Sequence, residues 1–277
     1  MDVEKLEVDG NEDFELKFIL RNTTPAYTNT LRRIMLLDVP SLAIQKVIIR
    51  ENNTAMFDEY IAHRLAMIPI WSDIDYIETT DSCEFCGGES PDGCSHCTVE
   101  LALLVETDEN TERMVMSKEI ISRDSEYYPI YEDIPIIKMG GNQRLELDAI
   151  ARFGRGREHA KFSPVGTIGY QYYPSIKIVG KNKNLEEIVE VCPRNVFEVK
   201  GEKVQVIDEK LCNLCNLCVK KFPDKVVVKG DKTTHIFQAI STGVLYIEDI
   251  VLTAVDILDR KADEFLATMQ EALDQLE

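Results

Sequence analysis

The beginning of the chain shows the two periodicities that distinguish strands from helices. Apolar and polar side chains alternate from Phe14 to Leu20, which is typical of a strand with one buried face. Thr24 followed by Pro25 then predicts a helix start, with the threonine as N-cap and the proline in the first turn. Apolar residues recur at helical spacing up to Pro40, which ends the segment. The chain therefore opens with a strand followed by a helix.

The middle of the chain mixes strand and helix patterns. Apolar positions predict a strand over 43–50, a short helix over 58–68 that ends before Pro69, and a strand over 99–106. Residues 149–162 interleave glycines with arginines and predict a basic turn. This turn lacks the Gly-Lys-Ser/Thr ending of a P-loop, so its cations favour salt bridges to a neighbouring subunit over phosphate binding.

The C-terminal region predicts one long helix from Tyr246 to Leu276. Its apolar residues recur at steps of three and four, with no interrupting glycine or proline. At 1.5 Å per residue the helix would span about 45 Å, longer than an ordinary globular helix. The stripe predicts either a core face or a surface that packs against another chain.

Composition narrows the classes of protein that this chain can belong to. Its 277 residues are enough for two or three domains. The start of the chain has no apolar signal-peptide region, and no run approaches the ~18 apolar residues of a membrane span. We therefore expect a cytoplasmic chain with reduced thiols. The net charge of −18 argues against direct binding of nucleic-acid phosphates and favours a basic partner.

Four cysteines in the C-terminal third predict an iron–sulfur site. Cys212, Cys215 and Cys218 form a C-x-x-C-x-x-C run, and Cys192 precedes a proline twenty residues upstream. Bacterial-type ferredoxins hold a [4Fe–4S] cluster with three closely spaced thiolates and one distant Cys-Pro. The chain thus provides ligands for one cluster. A zinc ribbon or an unrelated redox trio remains the alternative.

The ligands of a second ferredoxin cluster are absent from the sequence. The spacing of two-cluster ferredoxins would place them at four positions that carry no cysteine. These positions are Asn182, Leu185, Ile188 and Phe222. One complete cysteine set and one missing set predict a single cluster.

The other four cysteines predict a structural zinc site. Cys83 and Cys86 form one C-x-x-C pair, Cys94 and Cys97 form another, and a loop rich in glycine joins them. Two such pairs suit a tetrahedral Zn²⁺ with four thiolates and no catalytic position. His96 lies between ligands and is expected to be a solvated bystander. Disulfides or free thiols remain the alternatives.

Catalytic motifs are not apparent in the sequence. Nucleotidyl or phosphoryl transfer with paired Mg²⁺ ions requires clustered carboxylates, and the chain has no Asp-x-Asp-x-Asp motif. His63 followed by Arg64 could suggest catalysis, but such a histidine more often lies on a helix surface.

Three segments of the chain resemble the D-type family of archaeal RNA polymerase subunits. These are Asn29–Met35, Glu59–Ile70 and Gly154–Val165, and they stand in the order of the family. The family corresponds to the N-terminal domain of bacterial α and to the third-largest eukaryotic subunit. With the terminal helix and the iron–sulfur segment, the resemblance covers nearly the whole chain.

The resemblance implies an α+β fold with three parts. A discontinuous dimerisation domain of the α-subunit type would comprise residues 1–39, 166–181 and 225–277. An inserted α+β domain would comprise 40–165, with the cysteine-rich loop 83–97, and a ferredoxin-like iron–sulfur domain would comprise 182–224.

The resemblance also implies partners and contact residues. Family members pair with the small subunit L, and this pair nucleates the addition of subunits N and P and then of the two large catalytic subunits. Little direct contact with DNA and none with a membrane is expected. The implied interface residues lie on the first helix, the short second helix and the basic loop. They are Asn29, Arg32, Arg33, His63, Arg64, Arg155, Arg157, His159 and Lys161.

The implied function is a non-catalytic assembly subunit whose iron–sulfur cluster supports folding and assembly. Family members with no cluster, or with a three-iron cluster, leave a [3Fe–4S] form open here. Two other functions remain as alternatives. The cluster motif alone would suit an electron-transfer subunit, and the zinc-like loop with the basic turn would suit a nucleic-acid-binding module.

Overall fold

The computed structural model describes residues 1–8, 10–72, 79, 83–87, 93–179, 185–201 and 203–275. Asn182, the loop residues 88–92 and Leu276 lie outside the described residues. The described part is an α+β fold with more sheet than helix. Its α-helices are α1 (Pro25–Leu37), α2 (Asp58–Ala66), α3 (Leu185–Glu190), α4 (Leu217–Lys221) and α5 (Ile247–Asp274). Its strands are β1 (Asp2–Leu6), β2 (Glu15–Arg21), β3 (Pro40–Asn52), β4 (Thr98–Glu106), β5 (Arg113–Met116), β6 (Ile121–Ser122), β7 (Pro135–Met139), β8 (Arg144–Arg155), β9 (Val165–Ile178), β10 (Phe197–Lys200), β11 (Lys203–Val206) and β12 (Val226–Ser241).

The chain separates into two compact units, each assembled from three stretches. The first unit contains Met1–Asp9, Leu16–Arg32 and Ile168–Ala239, and the second contains Gly10–Glu15, Arg33–Thr167 and Ile240–Glu277. The division into a dimerisation domain, an insert domain and a cluster domain stays a prediction.

The first unit holds most of a four-stranded sheet in the order β1-β2-β12-β9. Strands β1 and β2 are antiparallel neighbours, and β10 and β11 form a separate two-stranded hairpin. The hairpin packs into a small core with Ile188 and Phe222, which are buried apolar side chains. This small core includes Cys212 and Cys218, and Cys192 packs against it, so it holds three of the four predicted iron–sulfur cysteines.

The second unit is built on a four-stranded sheet in the order β3-β8-β4-β6. Strand β8 is central and pairs antiparallel with both β3 and β4. Helix α2 covers this sheet with Ile61 and Leu65, which are fully buried in the core. The short pair β5 and β7 adds further apolar side chains to the same core.

Several of the elements predicted from the sequence are confirmed. Helix α1 begins at Pro25, and the backbone N–H of Tyr27 donates to the hydroxyl of Thr24 at 3.3 Å, as expected for an N-cap. The strands predicted near 14–20, 43–50 and 99–106 are present as β2, β3 and β4. Helix α5 has 28 residues, which corresponds to about 42 Å.

The prediction of a basic turn over residues 149–162 is wrong for its first half. Strand β8 continues to Arg155, and Ala149, Ala151 and Phe153 are buried along it. The strand survives its glycine and arginines because β3 pairs with residues 149–155 and β4 pairs with residues 149–152, both distant in sequence. The turn itself begins after Arg155 and leads into a 3₁₀ turn at Ala160–Phe162.

A buried histidine lies inside the first unit. His235 on β12 is fully buried, and its Nδ1 lies 3.2 Å from the hydroxyl oxygen of Thr28 on α1. The Thr28 hydroxyl donates to the carbonyl of Thr24, so Nδ1 carries the proton of the neutral ring. Among the described residues, Nε2 has no hydrogen-bond partner, and the rings of Tyr170 and Tyr172 flank the imidazole. Burial lowers the pKa of His235.

We expect acidification below about pH 6.5 to destabilise the chain through His235. Its folded pKa lies below the ordinary value of about 6.5, so the unfolded chain binds the proton first as the pH falls. Stability is therefore complete above that value and decreases below it, by at most about 1.4 kcal/mol per pH unit. Urea unfolding at a series of pH values measures this slope.

The matched variants for this measurement are His235→Phe and His63→Gln. Phenylalanine fills the same site without a titrating nitrogen, so this part of the slope should disappear. The exposed His63 should leave the slope intact when it is replaced. An unchanged slope in His235→Phe would contradict the assignment.

Candidate metal centres and assembly surface

The four cysteines of the predicted zinc loop converge on one point. Their sulfur atoms all lie within 4.8 Å of one another. The Sγ–Sγ distances are 3.7 Å for Cys83 and Cys94, 3.8 Å for Cys94 and Cys97, and 3.9 Å for Cys86 and Cys97. A tetrahedral ion with metal–sulfur bonds of about 2.3 Å places its sulfurs about 3.8 Å apart. The four thiols therefore fit a single tetrahedral metal ion.

Local backbone turns place each pair of these cysteines. The N–H of Gly87 donates to the carbonyl of Cys83 at 2.8 Å, and the N–H of Cys97 donates to the carbonyl of Cys94 at 3.1 Å. Gly87 has φ +57° and Gly93 has φ +83°, a left-handed region that glycine enters without steric cost. These glycines let the chain turn sharply beside each pair, so both cysteines of a pair face the same side.

The thiols of this site differ in their surroundings and therefore in their pKa values. The backbone N–H of His96 donates to Cys94 and lowers the pKa of that thiol to about 7. Burial raises the pKa of Cys97 to about 12, so a metal that binds there must displace a proton. His96 is exposed and stacks on Phe85 with the ring centroids 3.7 Å apart. The candidate metal site consists of cysteines, and His96 lies beside it.

The second cysteine set lines a cavity in the first unit. Cys192, Cys212, Cys215 and Cys218 line the same pocket, which is partly open to solvent. Among the described residues, only the loop set described above is close enough for a single ion. The donor set of four thiols is the one that an iron–sulfur cluster requires.

The backbone of the C-x-x-C-x-x-C run adopts an uncommon conformation. Leu214 has φ +57° and Asn216 has φ +59°, and for a leucine this region is rare and costly. The N–H of Leu214 points at the sulfur of Cys212 at 3.4 Å. Burial raises the pKa values of Cys212 and Cys218, and the neighbouring cysteines raise them further. A bound group that takes thiolates would offset both the strain and the proton cost.

Apolar side chains occupy two of the positions where a second cluster would have its ligands. Ile188 is fully buried and Phe222 nearly so, and both belong to the small core beside the cysteine cavity. These buried apolar side chains stabilise the part of the segment that a second cluster would otherwise hold together. The sequence-based expectation of a single cluster is consistent with this core.

The predicted interface residues of α1 and α2 lie on partly open surfaces. The guanidinium Nε of Arg32 donates to the Asn29 side chain at 3.2 Å, and Arg33 is exposed. His63 and Arg64 are both exposed, and Arg64 donates to the carbonyl of Pro135. The two helices therefore present these groups at the surface of the fold.

The predicted interface residues after β8 make contacts inside the chain. The guanidinium of Arg157 pairs with Asp38, with Nε 2.9 Å from Oδ1. Lys161 donates to the carbonyl of Ile44 at 2.9 Å and to the side chain of Gln45 at 2.7 Å. His159 Nδ1 accepts from the backbone N–H of Lys161 at 3.1 Å, and the Arg155 backbone N–H donates to Glu158 at 2.9 Å. These contacts fix the loop itself.

Helix α5 carries an apolar surface that the sequence could not assign to core or partner. Its first half is buried through Ile247, Ile250, Ala254 and Ile257. Every residue from Asp259 to Gln275 is exposed. This free half presents a continuous apolar stripe, which we define as Phe265, Leu266, Met269 and Leu273, with exposed fractions of 45% to 64%. The helical spacing predicted the stripe but not that it would be uncovered.

No helix within the described ranges is both long enough and apolar enough to cross a membrane.

Comparisons with known proteins place the chain among RNA polymerase subunits. Residues 47–169 match the Rpb3/RpoA insert domain of RNA polymerase. The chain is 36% identical to DNA-directed RNA polymerase subunit Rpo3 of Methanosphaera stadtmanae, over 96% of this chain and 98% of that protein. It is 37% identical to subunit Rpo3 of Archaeoglobus fulgidus, with the same coverage.

A eukaryotic protein is similar over the same extent. The chain is 35% identical to DNA-directed RNA polymerase II subunit rpb3 of Dictyostelium discoideum, over 97% of this chain and 96% of that protein. With the matched insert domain and these near-complete alignments, the chain belongs to the Rpo3/Rpb3 family of DNA-directed RNA polymerase subunits.

Proposed function

We propose that this chain is the non-catalytic assembly subunit of a multisubunit archaeal DNA-dependent RNA polymerase in the cytoplasm. It forms a heterodimer with the small subunit L, and this pair recruits subunits N and P and the large catalytic subunits. Nucleotidyl transfer takes place in the assembled complex. Direct contact with DNA is minor, which agrees with the net charge of −18.

The free half of α5 is the observation that carries this proposal. Apolar side chains that stay exposed to water are unfavourable, and exposed apolar patches of this kind mark protein–protein interfaces. Subunit L is the partner that the family resemblance implies for this helix. Pairing would bury Phe265, Leu266 and Met269 between two chains, as in other helical interfaces.

Replacing Phe265 by aspartate is expected to weaken pairing with subunit L strongly. The side chain is 64% exposed in the free chain, so the charge should disturb the partner interface and leave the fold intact. A central aromatic contact contributes about 2–4 kcal/mol to binding, which corresponds to about 30- to 700-fold in Kd. Titration calorimetry with the subunit L of the same genome measures this change.

The control variant is Ala267→Asp, which adds the same charge on the opposite side of the same helix. Ala267 is exposed and lies outside the stripe. Its Kd should stay within about threefold of the wild-type value. A wild-type chain that does not bind subunit L, or equal losses in the two variants, would contradict the proposal.

The two metal centres have structural roles in this proposal. The cavity lined by Cys192, Cys212, Cys215 and Cys218 would hold one [4Fe–4S] cluster, or a [3Fe–4S] form, whose ligation stabilises residues 182–224. The compact cysteine loop at 83–97 would hold one structural Zn²⁺. Neither centre is assigned a step in catalysis.

The remaining predicted residues would serve assembly with the large subunits. Asn29, Arg32 and Arg33 would face the second-largest subunit from helix α1, and His63 and Arg64 would add a second contact. The loop with Arg155, Arg157, His159 and Lys161 would lie nearby. Its internal hydrogen bonds support a role in presenting a fixed surface. The dimerisation domain would comprise 1–39, 166–181 and 225–277, and the insert domain 40–165.

A further inference from the structure

One buried carboxylate joins three separate parts of the second unit. Asp38 follows the last residue of α1 and is only 7% exposed. Its Oδ1 accepts from Arg157, with Nε at 2.9 Å, and its Oδ2 accepts from Lys261 on α5. Each carboxylate oxygen thus binds one cation from a distant stretch of sequence. Burial alone would raise the pKa of Asp38, but the hydrogen bonds from Lys261 and Arg157 hold it below its usual value.

The loop that supplies Arg157 is fastened to the same place by its backbone. The N–H of Arg157 donates to the carbonyl of Leu37 at 3.1 Å, which satisfies a free carbonyl at the end of α1. Gly156 passes so close that a Cβ there would lie 2.2 Å from the carbonyl oxygen of Leu36. Only glycine fits this approach. Backbone contacts therefore fix the position of Arg157 independently of the contact between its side chain and Asp38.

Lys261 lies where α5 leaves the body of the second unit. The last buried side chain of the helix is Ile257, and the exposed half begins at Asp259. Within the part of the chain that the structure describes, the pair of Lys261 with Asp38 is the most C-terminal hydrogen bond or ion pair between α5 and another element. The polar contacts recorded beyond it, such as Thr268 to Glu264, stay within the helix.

A small change of angle at Lys261 is amplified along the free half of α5. The helix continues beyond Lys261 to Asp274, which is about 20 Å at 1.5 Å per residue. A tilt of about 10° at Lys261 would move the far end by about 3.5 Å over that length. Such a displacement exceeds the tolerance of a packed apolar interface, in which side chains interdigitate. Fixing the exit direction before docking lowers the cost of association.

We propose that Asp38, held by Arg157 and Lys261, is a positioning residue that sets the direction of the free half of α5 and thereby the affinity of the partner that covers the apolar stripe. This inference rests on the proposed function, because it takes subunit L as that partner. Exposed ion pairs usually add little to folding stability. Here the effect is expected in docking, because a misdirected helix must be realigned before it can bind.

The test compares Lys261→Met and Asp38→Asn with Arg260→Met in the full chain, using subunit L as the probe. Arg260 is the exposed neighbour whose recorded partner is Glu264 on the same helix, so its loss removes the same charge without touching Asp38. We expect Lys261→Met and Asp38→Asn to raise the Kd for subunit L about fivefold to twentyfold. Arg260→Met should stay within about twofold, and Lys261→Arg should restore most of the affinity.

A second measurement separates positioning from stability. The midpoint of thermal unfolding should fall by no more than about 2 °C in Lys261→Met, so its loss of affinity cannot come from unfolded chain. The double variant Asp38→Asn with Lys261→Met should bind no more weakly than Asp38→Asn alone, because both changes break one contact. Affinity lost only in proportion to the unfolded fraction would overturn the inference.

Binding of the wild-type chain to subunit L separates failure of this inference from failure of the proposed function. If the wild-type chain binds subunit L and the variants at Asp38 and Lys261 bind it equally well, this inference is overturned alone. If the wild-type chain does not bind subunit L, the proposed function is overturned and the inference with it.

Discussion

Replacing Cys215 by serine is expected to prevent binding of the proposed iron–sulfur cluster and to unfold the segment around it. Cys215 is exposed, so the substitution removes a thiolate ligand with little loss of packing. The segment from Leu185 to Val226 spans 42 residues, near the size below which a domain usually needs a metal or a disulfide to fold. Because ligation and folding are coupled, losing the cluster should cost the segment its ordered state.

The contacts of the cluster loop extend the expected effect into the sheet of the first unit. The side-chain amide of Gln171 on β9 donates to the carbonyl of Cys212 at 3.2 Å. The N–H of Ile176 on the same strand donates to the carboxylate of Glu209 at 2.7 Å. Unfolding of the loop would leave these groups on β9 without their partners. Protection should therefore fall in β9 as well as in the hairpin β10–β11.

Three measurements on anaerobically purified protein check this prediction. Iron and sulfide analysis should show that the variant has lost most of its cluster. Hydrogen exchange in β10 and β11 should speed up by about 100-fold or more, because local opening then needs little free energy. The yield of heterodimer with subunit L measures how far the effect extends into assembly.

The control for Cys215→Ser is Asn213→Ser in the same loop. Asn213 is exposed and carries no thiol, so this variant should keep its iron and its exchange protection. Full protection of the hairpin in an iron-free Cys215→Ser protein would contradict a folding role for the cluster. Zinc in place of iron in the wild-type chain would instead support the alternative of a zinc ribbon.

Local chemistry explains which parts of the fold could be predicted from the sequence. The N-cap of α1 depends on Thr24 and its immediate neighbours, and the structure confirms it. The cysteine pairs at 83–97 were also readable, because a C-x-x-C spacing with adjacent glycines brings both sulfurs to one side of a turn. These features need no information from distant sequence.

Features that depend on distant partners could not be predicted in the same way. Residues 149–155 form a strand because β3 pairs with all of them and β4 with residues 149–152, and their glycine and arginines hide that pattern. The sequence does not distinguish Asp38 from the other acidic residues, because Arg157 and Lys261 are close to it only in the folded chain. Half of α5 is exposed although its periodicity is the same along its length, because periodicity does not say what covers a face.

Replacing Cys94 by serine is expected to lower the zinc affinity of the cysteine loop by at least about 100-fold. Even residues that only support a metal ligand typically contribute 10- to 100-fold to affinity, and Cys94 would supply one of four thiolates. Its sulfur lies 3.7 Å from that of Cys83 and 3.8 Å from that of Cys97, which is the spacing of the vertices of such a tetrahedron. Metal analysis and competition with a chelator measure the change.

The loss should also loosen the sheet of the second unit. The hydroxyl of Thr98, the first residue of β4, donates to the carbonyl of Cys94 at 2.8 Å. Because binding free energies of structural zinc reach about 10–16 kcal/mol and are expressed as folding, an empty loop should be largely disordered. Hydrogen exchange should then rise at the start of β4, while the buried centre of β8 stays protected.

His96→Ala is the matched control, and it also tests the alternative ligand. The imidazole stacks on the exposed Phe85 and lies outside the convergent sulfur atoms, so its removal should leave one zinc per chain. Zinc retained in Cys94→Ser but lost in His96→Ala would show that histidine replaces a cysteine as ligand. Zinc lost in Cys94→Ser but retained in His96→Ala would show that four thiolates hold the ion. Serine keeps the shape of the side chain and removes only the sulfur that binds the metal.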